Sequence, residues 1–216
     1  MPYQPLTYLY QPGVPGRPLL LLLHGTGGDE RDLLPVAARL SPGSAVLSVR
    51  GNVSEHGMPR FFRRLGMGVF DEADVAFRTH ELAHFLRELS NAEGFDLRQV
   101  VAVGYSNGAN IAGSLLLLYP DLLGGAVLWR PMQPLTKEVP VNPAQAPTPV
   151  LFVPGAQDPT VDRAASDHYA ALLASRGFDL TPQTVAAGHN LTQTDLDLAT
   201  AWLQKHFPTV AAPPAR

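Results

Sequence analysis

A serine stands between two glycines in Gly104-Tyr105-Ser106-Asn107-Gly108, directly after the apolar run Val100-Val101-Ala102-Val103 and directly before a helix-forming stretch. A turn that abrupt, from strand into helix, forces its central residue into a strained backbone conformation. It also brings neighbouring backbone so close that the positions two before and two after must be nearly free of side chain. Gly104 and Gly108 meet that demand, and the five residues read as a nucleophile elbow. In a chain with 19 glycines the pattern alone could arise by chance, so the surrounding segments decide its meaning.

Three such segments occur, in a fixed order. Leu19-Leu20-Leu21-Leu22-Leu23 is continuously apolar, as expected of a strand buried on both faces of a parallel sheet, and it ends in His24-Gly25-Thr26-Gly27-Gly28. Val150-Leu151-Phe152-Val153 is a second such run and leads through Pro154-Gly155-Ala156-Gln157 into Asp158. A weaker strand pattern at 183–187 is followed by Gly188-His189-Asn190. Ser106, Asp158 and His189 therefore each fall just past the carboxyl end of a predicted strand, where ligand sites form in open α/β sheets. Serine, acid and histidine in that chain order, with a glycine-rich loop upstream, are what an α/β-hydrolase requires.

The remaining pattern agrees. Strands are predicted at 6–10, 19–23, 45–49, 100–103, 126–129, 150–153 and 183–185, alternating with helices at 31–40, 74–89, 109–118, 162–175 and 194–206. The alternation predicts the α/β class, a mostly parallel central sheet with helices on both faces and right-handed crossovers; the elbow and the Ser-Asp-His order make the expected form of it an α/β-hydrolase fold. Too little sequence is left for a large cap domain. Residues 1–207 are expected to form a single catalytic domain, and 208–216, rich in Pro and Ala, a disordered tail. The Pro-containing connection 132–149 is expected to run over the surface near the mouth of the site.

The segments 19–28, 104–110, 152–158 and 188–190 resemble the carboxylesterase and phospholipase group of small α/β-hydrolases, which includes the acyl-protein thioesterases. The similarity spans nearly the whole chain. Within that group, Arg50-Gly51-Asn52-Val53, the stretch Gly57-Met58-Pro59-Arg60-Phe61-Phe62-Arg63-Arg64 and Gly104 to Asn110 are similar to a bacterial branch associated with hydroquinone and catechol metabolism. Asn107 stands where the thioesterases usually carry glutamine; that position contributes its backbone amide, so the change should leave its role intact. The resemblance implies a serine hydrolase for esters, with thioesters as an alternative, in which Ser106 is the nucleophile, His189 the base and Asp158 its partner. The backbone amides of Thr26 and Asn107 would form the oxyanion hole.

Composition removes other classes. A net charge of -3 with arginines scattered among acids offers no basic stripe for nucleic acid. Arg60, Arg63 and Arg64 alone cluster, and beside Phe61 and Phe62 they read as a surface patch or a pocket rim. With no cysteine, disulfides, thiolate metal sites and a cysteine nucleophile are all ruled out. The amino terminus lacks the features of a signal peptide, and the run at 19–23 is too short to span a bilayer. The expectation is a cytoplasmic enzyme with no cofactor and no metal, whose partner is a small-molecule ester. No nucleic acid and no membrane insertion are expected, and a homodimer is left open.

One rival motif exists. His80-Glu81-Leu82-Ala83-His84 matches H-E-x-x-H, the signature of zinc metalloproteases, and would make the chain a zinc metallohydrolase. At about 100° per residue, however, Val75, Thr79, Leu82, Leu86 and Leu89 form the apolar stripe of that helix. His80 and His84 then lie opposite it, facing solvent and lacking a third ligand. A non-catalytic or signalling binder on a hydrolase scaffold is a further alternative, although such proteins usually carry a damaged triad. His24 is expected to orient the glycine loop, and His56, His168 and His206 to lie on surfaces. Asp162, four residues beyond Asp158, reads as a helix N-cap. Met58, Phe61, Phe62, Phe70 and Met132 are candidate linings of an open, shallow pocket for short to medium acyl groups, with ordinary core packing as the alternative.

Overall fold

The computed structural model describes residues 3–136 and 147–209. Among these residues seven strands form the main sheet: β1 (Thr7–Gln11), β2 (Leu19–Leu23), β3 (Ala45–Arg50), β8 (Val100–Tyr105), β9 (Gly125–Trp129), β10 (Pro149–Val153) and β11 (Asp179–Pro182). Their order is β1-β3-β2-β8-β9-β10-β11. Only the β1–β3 pair is antiparallel. Two short hairpins, β4 (Val53–Glu55) with β5 (Met58–Arg60) and β6 (Arg64–Gly66) with β7 (Val69–Phe70), lie between β3 and the first long helix.

Among the described residues five α-helices cover the sheet: α1 (Leu34–Leu40), α2 (Glu72–Glu93), α3 (Asn107–Leu118), α4 (Arg163–Ser175) and α5 (Gln193–His206). The side-chain alternation of β2 shows why both faces must be covered. Leu19, Leu21 and Leu23 pack with Leu82 and Leu86 of α2, Ile111 and Leu115 of α3 and Tyr169 and Leu173 of α4. Leu20 and Leu22 pack instead with Ala37 and Leu40 of α1 and Ala199, Trp202 and Leu203 of α5. A strand apolar at every position is the sequence form of a layer buried on both sides. Among the described residues there is no large cap domain, and no helix is long and apolar enough to cross a membrane.

Two strand expectations need correction. The last strand is Asp179–Pro182, not 183–185; Val185 makes only an isolated bridge to Gly155. As an edge strand it pairs on one side alone and tolerates Pro182 and a largely exposed sequence, which hides it from a hydrophobicity reading. The hairpins of 53–70 were not expected. Each strand there has only two or three residues, and β4 turns into β5 through His56 and Gly57, both at positive φ. The middle of the connection 132–149, at 137–146, and the tail from 210 onward lie outside the described residues.

The helix carrying the H-E-x-x-H motif buries its predicted stripe: Val75, Thr79, Leu82, Leu86 and Leu89 are all buried. His84 is exposed and lies 5.2 Å from the ring of Tyr3. His80, expected in solvent, is half-buried instead, because its Nδ1 meets the Tyr119 hydroxyl at 2.7 Å. Glu81 is buried, accepting from Arg78 and from the Gln4 backbone N–H.

Candidate active site

The elbow forms where the sequence places it. Ser106 caps α3 at φ 52°, ψ −114°, a left-handed backbone for a residue with a side chain. The flanking glycines are obligatory for a steric reason: a Cβ on Gly108 would lie 1.9 Å from the Leu23 carbonyl oxygen, and one on Gly104 2.5 Å from that of Gly108. β2, β8 and α3 thus approach one another through backbone, and Ser106 is thrust out at the strand end.

The structure brings Ser106, His189 and Asp158 into one hydrogen-bonded line. Ser106 Oγ lies 2.9 Å from His189 Nε2, and His189 Nδ1 lies 2.7 Å from Asp158 Oδ2. Asp158 Oδ1 accepts from the backbone N–H and the hydroxyl of Thr160, at 2.8 and 2.7 Å. Burial of the carboxyl pushes its pKa up, but the hydrogen bonds from Thr160 and His189 outweigh that and hold it below the ordinary value. An ionised Asp158 fixes the proton of His189 on Nδ1 and leaves Nε2 as the acceptor facing Ser106. Asp162 is elsewhere: it caps α4, accepting from Ala165 N at 3.0 Å.

Thr26 and Asn107 border the same cavity, and neither backbone N–H has a hydrogen-bond acceptor among the described residues. Donors left free beside a serine at a helix start can receive a developing oxyanion. Two neighbours hold them in place. The Asn107 side chain accepts from Phe61 N at 2.7 Å, tying the hairpin segment to the elbow. His24 is buried under the glycine loop, with Nδ1 2.6 Å from Gly25 O and Nε2 accepting from Gly51 N at 3.0 Å. Burial lowers its pKa, consistent with a neutral ring whose Nε2 serves as an acceptor.

The cavity has a volume of about 240 Å³. Phe70 and Met132 line it; Met58, Phe61 and Phe62 do not. Phe62 is fully buried in the core beneath Phe70, Phe61 is buried 4.7 Å from the His24 ring, and Met58 is exposed beside Gly27. Phe61 and Phe62 serve the core here rather than the pocket. Arg60 and Arg64 line the cavity, whereas Arg63 pairs with Asp71 on the outside.

Sequence reasoning missed the pair that holds the histidine loop. Arg130 directly follows β9, at φ 53° and with its side chain fully buried. Its Nη1 and Nη2 donate to Asp195 Oδ1 and Oδ2 at 2.7 and 2.9 Å. The same guanidinium donates to the carbonyls of Gly188 and Asn190, one on each side of His189. Asp195 also accepts from the N–H and hydroxyl of Thr192, closing the capping box of α5. The available signals were an arginine ending an apolar strand and the T-x-x-D spacing of 192–195, neither of which points to the other.

Removing one partner of this pair leaves a buried, unpaired charge, so Arg130→Met and Asp195→Leu should each cost about 3–5 kcal/mol. In urea titrations the double variant should be far less destabilised than the sum of the singles, because both charges are then gone; additive losses would show the two residues to be uncoupled. Burial pushes the Asp195 carboxyl up, but Arg130 and Thr192 hold it below its ordinary value. A depressed folded value means the contribution is complete above the unfolded carboxyl's pKa of about 3.9 and is lost as pH falls through the folded one.

Comparison with known proteins places this arrangement. The phospholipase/carboxylesterase family matches residues 7–207. The putative hydrolase MhqD of Bacillus subtilis (strain 168) is 42% identical over 200 residues, covering 93% of this chain and 98% of that one. The crystal structure of the Bacillus cereus carboxylesterase superposes with a TM-score of 0.89 at 46% identity, covering 94% of this chain and 95% of that one. A carboxylesterase from Mesorhizobium loti gives a TM-score of 0.85 at 30% identity, over 92% of this chain and 94% of that one.

Proposed function

The chain belongs to the phospholipase/carboxylesterase family and is a carboxylesterase-type hydrolase, and from that premise we propose that Ser106, His189 and Asp158 hydrolyse carboxylic esters of short to medium acyl groups through an acyl-enzyme. Thioesters fall within the same chemistry. The observation that carries the reading is the unbroken line from Ser106 Oγ through the imidazole to Asp158.

Each step has a group in position. His189 Nε2 takes the hydroxyl proton as Ser106 Oγ attacks the ester carbonyl, and Asp158 stabilises the imidazolium that forms. The tetrahedral oxyanion falls to the N–H groups of Thr26 and Asn107, which are stronger partners for the anion than for the planar carbonyl. The imidazolium protonates the departing alcohol or thiol. Water enters, His189 deprotonates it, and a second tetrahedral intermediate releases the acid and restores Ser106. The Asp158 bond and the carbonyl clamp of Arg130 keep the ring in one orientation for both halves.

Metal-dependent hydrolysis has no comparable arrangement. Among the described residues no group of three or more His, Cys, Asp or Glu is placed to hold an ion, and His80 is bonded to Tyr119. Turnover of 4-nitrophenyl acetate and butyrate by the purified protein should survive prolonged phenanthroline treatment. His80→Ala with His84→Ala should keep that turnover too, while losing about 0.5–1.5 kcal/mol of stability with the His80–Tyr119 hydrogen bond. Loss of activity on chelation, restored by zinc, would support the metal enzyme instead; absence of ester turnover in the untreated protein would support a non-catalytic binder.

A further inference from the structure

We propose that this esterase site takes esters that bear a second, anionic carboxylate, held by the guanidinium groups of Arg60 and Arg64. The inference rests on the hydrolase reading above and adds the substrate class to it.

The charges lining the cavity do not balance. Its walls include Arg60 and Arg64 and no aspartate or glutamate. Behind the wall the two arginines share one carboxylate: Glu55 accepts from Arg64 Nε at 2.9 Å, and its other oxygen lies 3.6 Å from Arg60 Nη1. Glu55 is the only acidic residue that ion-pairs with either of them among the described residues. Arg60 is 3% exposed, and its other contacts are neutral, the Thr26 hydroxyl at 2.6 Å and the Phe62 carbonyl at 3.2 Å. One positive charge is left over in a place with little water to solvate it. Such a charge is costly unless something answers it.

The cavity side is where an answering anion can come from. The Nη2 groups of both arginines have no hydrogen-bond acceptor among the described residues, and guanidinium is the side chain suited to planar, two-pronged contact with a carboxylate. A surplus of one charge matches a monoanionic carboxylate better than a dianionic phosphate. Met67, Phe70 and Met132 line the same cavity and offer apolar cover for the carbon chain between that carboxylate and the scissile ester. Arg60 also has a structural task in gripping Thr26. Arg64, a quarter exposed and, among the described residues, bonded otherwise only to Met67 sulfur at 3.1 Å, is the better residue to test.

The test compares kcat/KM for monoethyl glutarate with that for ethyl pentanoate, and for 4-acetoxybenzoate with 4-methylphenyl acetate, so that the carboxylate sits on the acyl or on the alcohol side. In at least one pair the acid-to-neutral ratio should fall about tenfold or more in Arg64→Gln, the loss of a charge-assisted bond, and recover in part in Arg64→Lys. A ratio unchanged by Arg64→Gln in both pairs overturns the proposal. Binding of the same esters to Ser106→Ala, followed by calorimetry, reads the anion site without catalysis. If the wild-type protein hydrolyses no member of either pair, the hydrolase reading fails. In that case tighter binding of the acid ester, lost in Arg64→Gln, still supports the anion site, and equal binding of acid and neutral esters overturns it.

Discussion

Ser106→Ala is expected to lower ester turnover by on the order of 10⁶-fold, the scale at which a serine hydrolase loses its nucleophile, while barely changing the urea midpoint. The loss is large because, among the described residues, no other hydroxyl stands against His189 Nε2; Thr160 sits at the opposite nitrogen. The fold should tolerate the change because the lost oxygen borders the cavity and, among the described residues, bonds only to His189, so no core void forms. Alanine at Gly104 or Gly108 is the contrasting case. There the new methyl would collide with backbone, and the variants should lose the fold before any statement about chemistry can be made. Near-normal turnover in folded Ser106→Ala would show that the elbow is not the nucleophile.

Asp158→Asn should cost on the order of 10⁴-fold in turnover. An amide at this position no longer compels His189 to carry its proton on Nδ1, and it cannot stabilise the imidazolium. The Thr160 donors that now meet Asp158 Oδ1 would also choose the amide's orientation, turning its NH₂ toward His189 Nδ1 and favouring the wrong tautomer. Asp162→Asn provides the control: it alters an exposed helix cap, a site where amide and carboxylate serve about equally. A mild effect at Asp158 with a severe one at Asp162 would transfer the acid's role.

These two residues were legible in the sequence for a reason that also explains what was not. Strands β2, β8 and β10 are buried on both faces and therefore spell themselves as apolar runs, and the residues just past their ends can be counted off directly. The same logic placed Thr26 and Asn107 beside Ser106. It failed at the sheet edge, where β11 needs neither apolar faces nor an unbroken ladder, and in the hairpins of 53–70, whose strands are too short to show a period. Phe61 and Phe62 were indistinguishable from pocket linings, because hydrophobicity does not say which side of a hairpin meets the core.

Contacts between charged groups distant in the chain were the least legible. Arg130 and Asp195 are 65 residues apart and meet only because β9 ends beside the start of α5. Arg64 and Glu55 are closer in sequence, yet their meeting depends on hairpins the sequence does not announce. In both cases the residue types are ordinary surface residues, and only the folded backbone brings them together.

Labelling with a fluorophosphonate, followed by mass mapping of the modified peptide, identifies the nucleophile itself. The reagent reports a serine whose hydroxyl is activated and faces an oxyanion site. One adduct per chain is predicted, on Ser106, forming with loss of esterase activity and largely suppressed in His189→Ala. An adduct on another residue, or full esterase activity in protein that takes up no label, would contradict the account.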